Sequence, residues 1–265
     1  MGGGQRGFHL LPVLVAVVLL GVGAAAWRVA RHQPAKGSSS QSQAASRAPT
    51  TPAKEDPNTP PLKLKSIGFN LGTYDPATQS AGEMVFIEAN LFADQIWGDF
   101  GQQDPRTPDP TKKNPQPTYV LPLSVKVQSL VDGEVVKITK LYSDDYSIMV
   151  AKDKNSSFIY ETEHVINPVV KEGDHVKGGQ IIADVSPHGT PKLGYGILEI
   201  GILHPVNTQA GHLCPYKYLD DSIKADLRAK ITAVHEGWNQ YKAKQIYDLS
   251  KFVSPGCVTE DWVQG

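Results

Sequence analysis

His164-Val-Ile-Asn-Pro-Val-Val-Lys-Glu-Gly-Asp-His-Val-Lys-Gly-Gly-Gln-Ile-Ile-Ala-Asp-Val185 decides how this chain reads. Valines and isoleucines alternate or pair on either side of Lys171-Glu172-Gly173-Asp174 and again around Lys177-Gly178-Gly179-Gln180, so short strands are separated by glycine-bearing turns. The turn after Val170 calls for a residue that tolerates positive φ, and Gly173 supplies it. Gly178-Gly179 lets a strand from Gln180 to Val185 start against its neighbour. Short strands joined by tight turns predict a β-sandwich.

Further strands follow on both sides: residues 119–131, a turn at Asp132-Gly133, 134–138, 146–151, a turn at 153–155, 157–164 and, downstream, 195–203. Upstream, 62–71 alternates and 84–92 carries a second apolar run, so both are strand candidates. Residues 101–118 hold prolines at 105, 108, 110, 115 and 117 and read as a surface loop. After the strands the period changes. Ile223, Leu227, Ile231, Val234, Trp238 and Tyr241 recur at three- and four-residue steps, which predicts an amphipathic helix from 221 to about 243, capped by Asp220, Asp221 or Ser222.

The N-terminal part has a different composition. Residues 8–27 are almost unbroken apolar sequence, about 20 residues, long enough to cross a hydrocarbon core of ~30 Å as a helix. A membrane anchor is expected. A cleaved secretory signal is the alternative, since Arg6 precedes the run and Ala24-Ala25-Ala26 offers a small-residue cleavage site. Residues 32–61 shift to Ser, Ala, Gln, Thr, Pro and Lys, too polar to offset the entropy of ordering, and read as a disordered linker. The expected organisation is an anchor in 1–31, a linker in 32–61, a sandwich in 62–219 and a helix with its tail in 220–265. Lys plus Arg number 26 against 27 Asp plus Glu, which leaves no field to attract nucleic acid. Two cysteines, Cys214 and Cys257, are too few for a four-thiolate site and flank the helix; one bridge between them is expected, in an oxidising compartment.

The quoted run resembles a segment shared by lysostaphin-type zinc peptidases and by biotinyl and lipoyl carriers, both of which are barrel-sandwich hybrids. The carrier reading needs a modifiable lysine beside methionine on a hairpin, whereas Met149 is followed by Val150 and Ala151. The peptidase reading matches the order of elements: Pro122 to Val135 leading, the Lys-Glu-Gly-Asp turn, Glu199-Ile200, then His204-Pro205-Val206-Asn207 and the run to Leu219. The resemblance therefore implies an all-β barrel-sandwich hybrid of the lysostaphin/LytM type.

It also implies a zinc ion held by two histidines and an aspartate, with an open position for water. This sequence departs from that pattern. Counting back from Glu199 puts Ile197 and Tyr195 where the resemblance requires a histidine pair, and Gln95 stands at the other ligand histidine, four residues before a retained Asp99. By spacing to Lys171, His164 falls on the family's catalytic, non-ligating histidine, with Thr162 in place of a tyrosine. His175, His188, His204 and His212 are scattered through turns. No two share the spacing that would place both rings on one face, so they are read as solvated rather than as a relocated site. The expectation is a degenerate domain without cofactor, outside the cytoplasm on a single membrane span, whose groove (His164, Thr162, Tyr195, Asp99) binds peptidoglycan or an envelope protein, or regulates a hydrolase. The alternative is an active zinc endopeptidase with a rearranged metal site.

Overall fold

A computed structural model describes residues 56–88, 94–104, 107–189, 194–206 and 209–265, all within the unit Ala53–Gly265. The expected anchor and almost all of the linker lie outside the described residues. Among the described residues, no helix is long and apolar enough to cross a membrane.

The chain is mostly β. In order, the strands are β1 (Leu71–Asp75), β2 (Ser80–Gly82), β3 (Met84–Val85), β4 (Trp97–Gly98), β5 (Thr118–Pro122), β6 (Lys126–Gln128), β7 (Gly133–Lys140), β8 (Tyr146–Ala151), β9 (Ile159–Ile166), β10 (His175–Val176), β11 (Ile181–Val185), β12 (Tyr195–Val206), β13 (Gln209–Leu213) and β14 (Val263–Gln264). β1 to β3 form a small antiparallel sheet; the other eleven share one network, with β10-β7-β8-β9-β12-β13-β14 as its main path. The glycine turns of the opening stretch behave as the sequence requires, with Gly173 at φ +89° and Gly179 at φ +83°.

Two sequence expectations fail here. Residues 62–71 contribute a single parallel bridge, Leu64 to Leu219, before β1 begins. Their amides serve different partners, Leu64 to the Tyr218 carbonyl and Lys65 and Ser66 to that of Leu130, and Gly68 at φ +92° breaks the extension. The second apolar run forms only β3, and its end at 89–93 lies outside the described residues. β13 and β14 are additions that periodicity did not disclose.

A helix α1, Asp221–Tyr241, follows the strands. Asp220 caps it by accepting from the Ser222 amide at 3.0 Å, the type of contact worth ~1 kcal/mol at a helix start. Leu227, Ile231, Val234 and Trp238 are buried on one face, each worth roughly 1.5–3 kcal/mol of burial. Gly237 allows the closest contact: a Cβ there would lie 2.6 Å from the Tyr74 ring. The Cys214–Cys257 disulfide closes 43 residues around this helix, and Cys257 also bridges Phe100.

Candidate functional site

The site begins with a break in alternation on β9. Its register with β12 pairs Glu199 with Glu163, Ile200 with Thr162 and Gly201 with Glu161. Side chains alternate along a strand, so Glu161, Glu163 and Glu199 share one face while Tyr160, Thr162, Ile200 and Ile202 point into the core. Against β8, Tyr146 pairs with Val165 and Ile148 with Thr162, so Glu163 and His164 together oppose Ser147 alone. This is a β-bulge. His164 adopts φ +58°, and the extra residue swings its ring onto the face that carries the glutamates. A non-glycine residue held there costs on the order of 1–3 kcal/mol, so its surroundings must fix it. The bulge is also the fork at which β9 exchanges partners: Ile159 to Glu163 pair with β12, and Val165 and Ile166 pair with β11.

What fixes His164 is Asp145, in the turn between β7 and β8. Its Oδ2 lies 3.0 Å from His164 Nδ1. Asp145 is buried, which by itself would raise its pKa, but hydrogen bonds from Ser143, Ser186 and His164 outweigh burial and hold it below the usual carboxylate value. The other ring nitrogen of His164, Nε2, stands 3.9 Å from Glu199 Oε2, and Glu199 Oε1 accepts from Thr118 Oγ1 at 2.9 Å. Next to this pair lies His188, on the segment after β11, its ring stacked on that of His164 with centroids 4.3 Å apart and planes 17° apart. Ser186 ties the parts together: its amide donates to the His164 carbonyl at 3.0 Å and its hydroxyl accepts from the His188 amide at 3.2 Å. Burial, and then the neighbouring His164, push the His188 pKa down. Tyr142, 93% exposed, meets the His188 ring edge to face.

Further along the same face, Glu161 is buried. Burial first, then the negative charges of Glu163 and Glu199, push its pKa up to about 8, against the opposing hydrogen bond from Ser147. Near neutral pH, Glu161 keeps its proton and acts as a donor.

The residues singled out from sequence separate in space. His164 is at the centre of the site. Thr162 is one position away in register and faces the core. Asp99, expected in the groove, is fully buried elsewhere: its Oδ1 lies 3.2 Å from His235 Nε2 of α1, among Tyr119, Tyr216 and Tyr247, whose pKa values its charge helps to raise. Gln95 accepts a hydrogen bond from Gln102 at 2.8 Å. Ile197 is buried against Gly189, and Tyr195 packs half-buried at the edge of the core. The residues on which the resemblance places zinc therefore do not fit it together: Ile197 has no lone pair, Asp99 is fully buried beside His235, and Gln95 accepts from Gln102.

The scattered histidines need correction as well. His175 is exposed, but His204 stacks on Phe158 at 4.2 Å and His212 is buried, its pKa pushed down to about 4 by that burial. His188, read as solvated, joins His164. Asp145, Glu161, Glu163 and His188 were not identified from sequence, because no short spacing links the turn, the bulge and the segment that meet here. Only the alternating carboxylates of Glu161-Thr162-Glu163 carried a signal.

No protein-family model matches the sequence, and no curated protein matches it. Solved structures do. Lysostaphin in solution is 17% identical over 51% of this chain and 49% of its own, with a TM-score of 0.36; the chain thus spans about half its length. The catalytic domain of lysostaphin from Staphylococcus simulans is 17% identical over 41% of this chain and 79% of its own, with a TM-score of 0.33. LytU is 21% identical over 58% and 90%, with a TM-score of 0.32. At these values the likeness transfers no residue's role. The solved structures that this chain resembles include lysostaphin- and LytM-type peptidase domains.

Proposed function

We propose that this chain is a membrane-tethered, extracytoplasmic domain whose groove binds the peptide part of the cell wall without cutting it. The observation that carries the reading is the fate of the implied ligand positions. Ile197 packs against Gly189, and Asp99 is fully buried beside His235 with its Oδ1 3.2 Å from Nε2, so they do not converge on an ion. The face left in place suits recognition. Glu163 and Glu199 offer carboxylates to peptide amines, and His164 sits beside them on a bulge held by Asp145. Tyr142 gives a stacking surface.

The test is co-sedimentation of the full chain with purified sacculi, together with analysis of released muropeptides. Saturable binding without release is expected, weakened at least tenfold by His164→Asn, which tolerates the left-handed backbone but removes the imidazole. Chelator-sensitive release of muropeptides would replace this reading with the zinc endopeptidase. Equal binding by the variant would remove the groove from it.

A further inference from the structure

We infer that Asp145, His164 and His188 form a site for a single divalent transition-metal ion, built from residues none of which stands at a ligand position implied by the sequence resemblance. The site shares His164 with the face proposed to bind the wall, but its test does not require that binding.

One ligand atom from each of the three lies within 4.8 Å of those from the other two. Two imidazoles and a carboxylate suit zinc, cobalt or nickel, whereas magnesium and calcium favour oxygen donors throughout. Asp145 Oδ2 and His164 Nδ1 are 3.0 Å apart, and two ligands at ~2.0–2.1 Å from a tetrahedral ion stand roughly 3.3 Å from each other. The pair therefore needs only a small separation to hold an ion, with the Nδ1 proton passing to solvent as it enters.

Other contacts surround the pair. With Nδ1 engaged, Nε2 faces Glu199 Oε2 across 3.9 Å, beyond hydrogen-bond length, and the carboxylate has to close on the ring to orient it. Asp145 is held by Ser143 and Ser186. Ser186 also bonds the backbones of both histidines, so three separate chain segments are fixed around one point. The strained φ of His164 and its turn onto this face follow from the same bulge.

The third ligand is not aimed as it stands. Two rings stacked 17° from parallel hold their lone pairs in two separate, nearly parallel planes, so one ion cannot lie in both. His188 must leave the stack. It is half-exposed and follows β11 on an irregular segment, so its ring has room to turn. An ion bound in this way links the β7–β8 turn, the β9 bulge and the segment after β11.

The full chain, purified in detergent and stripped with chelator, would be titrated with Zn2+ and separately with Co2+, whose visible d–d bands report a tetrahedral nitrogen and oxygen environment. One equivalent is expected, with affinity lowered at least tenfold in His188→Ala and in Asp145→Asn and unchanged in Gln95→Ala. His188 is the decisive position, because its truncation leaves the buried pair intact and the fold can be verified by an unchanged melt. Histidine NMR should show the His164 and His188 rings shifting together on addition of Zn2+. Absence of a stoichiometric ion, or full affinity in His188→Ala, would overturn the assignment. Sacculus binding measured with and without Zn2+ separates the two ideas, since a chain that takes up one ion but ignores sacculi refutes only the proposed function.

Discussion

Replacing Glu161 by glutamine should stabilise the protein, and by an amount that grows with pH. In the folded chain this carboxyl titrates near about 8, raised by burial and by Glu163 and Glu199, against an ordinary value of 4.5. Between those values the native state binds a proton that the unfolded state has released. Stability therefore falls as pH rises, by about 1.4 kcal/mol per unit for this group. From pH 4.5 to 7 the loss is on the order of 3 kcal/mol, a large part of the 5–15 kcal/mol typical of a domain. Glutamine removes the titration while its carbonyl accepts from Ser147 Oγ and its amide donates to Glu163; only the long 3.4 Å contact from Gln116 Nε2 loses its acceptor, and the Gln116 amide can turn to meet it.

Other groups shape the same pH range. The lowered pKa values of His212 and His188 make the unfolded state the better proton acceptor below their ordinary value of 6.5, so their contribution is lost as pH falls and slopes the opposite way. Asp145, lowered from 3.8, acts only below the range. The difference between wild type and Glu161→Gln isolates the one group. Urea unfolding of both at pH 5, 6, 7 and 8 should show a gap that opens steadily toward about 3 kcal/mol at pH 7 and flattens above 8. Parallel curves, or a variant less stable at pH 7, would show that Glu161 is ionised in the native chain and that the donor role assigned to it is wrong.

Two further outcomes concern the packing that holds the site in place. Removing the Cys214–Cys257 bridge, which closes 43 residues, should cost about 4 kcal/mol in the chain-entropy account; an unchanged urea midpoint in the double Cys→Ala variant would refute this. Asp99→Leu or His235→Phe alone should cost about 1–3 kcal/mol, because each leaves a buried polar group without its neighbour, while the double variant should recover most of the loss; additive costs in that cycle would show that the two are not coupled.

The same contrast between local and non-local information separates what the sequence discloses from what it does not. β8 follows residue for residue from the apolar run 146–151, and α1 from its three- and four-residue steps, because periodicity is a local property that tertiary packing only confirms. Gly173 and Gly179 mark their turns for the same reason. Residues 62–71 misled because alternation there arises from separate burials of Leu64, Ile67, Phe69 and Leu71 along an irregular path. The site is less legible still. Its central residue, His164, was identified by spacing, but strict alternation along β9 would put its ring on the core side with Thr162, and nothing local in Glu161-Thr162-Glu163-His164 announces a bulge. That one extra residue moves the imidazole to the opposite face, where Asp145, from a turn 19 residues earlier, and His188, 24 residues later, come to meet it. Asp99 shows the converse: a retained residue type at the expected spacing has been recruited by His235 of a helix that lies 136 residues further along the chain. Spacing preserves the identity of a side chain, whereas the partner that decides its chemistry is chosen by the fold. In this chain the two diverge at both ends of the implied zinc site.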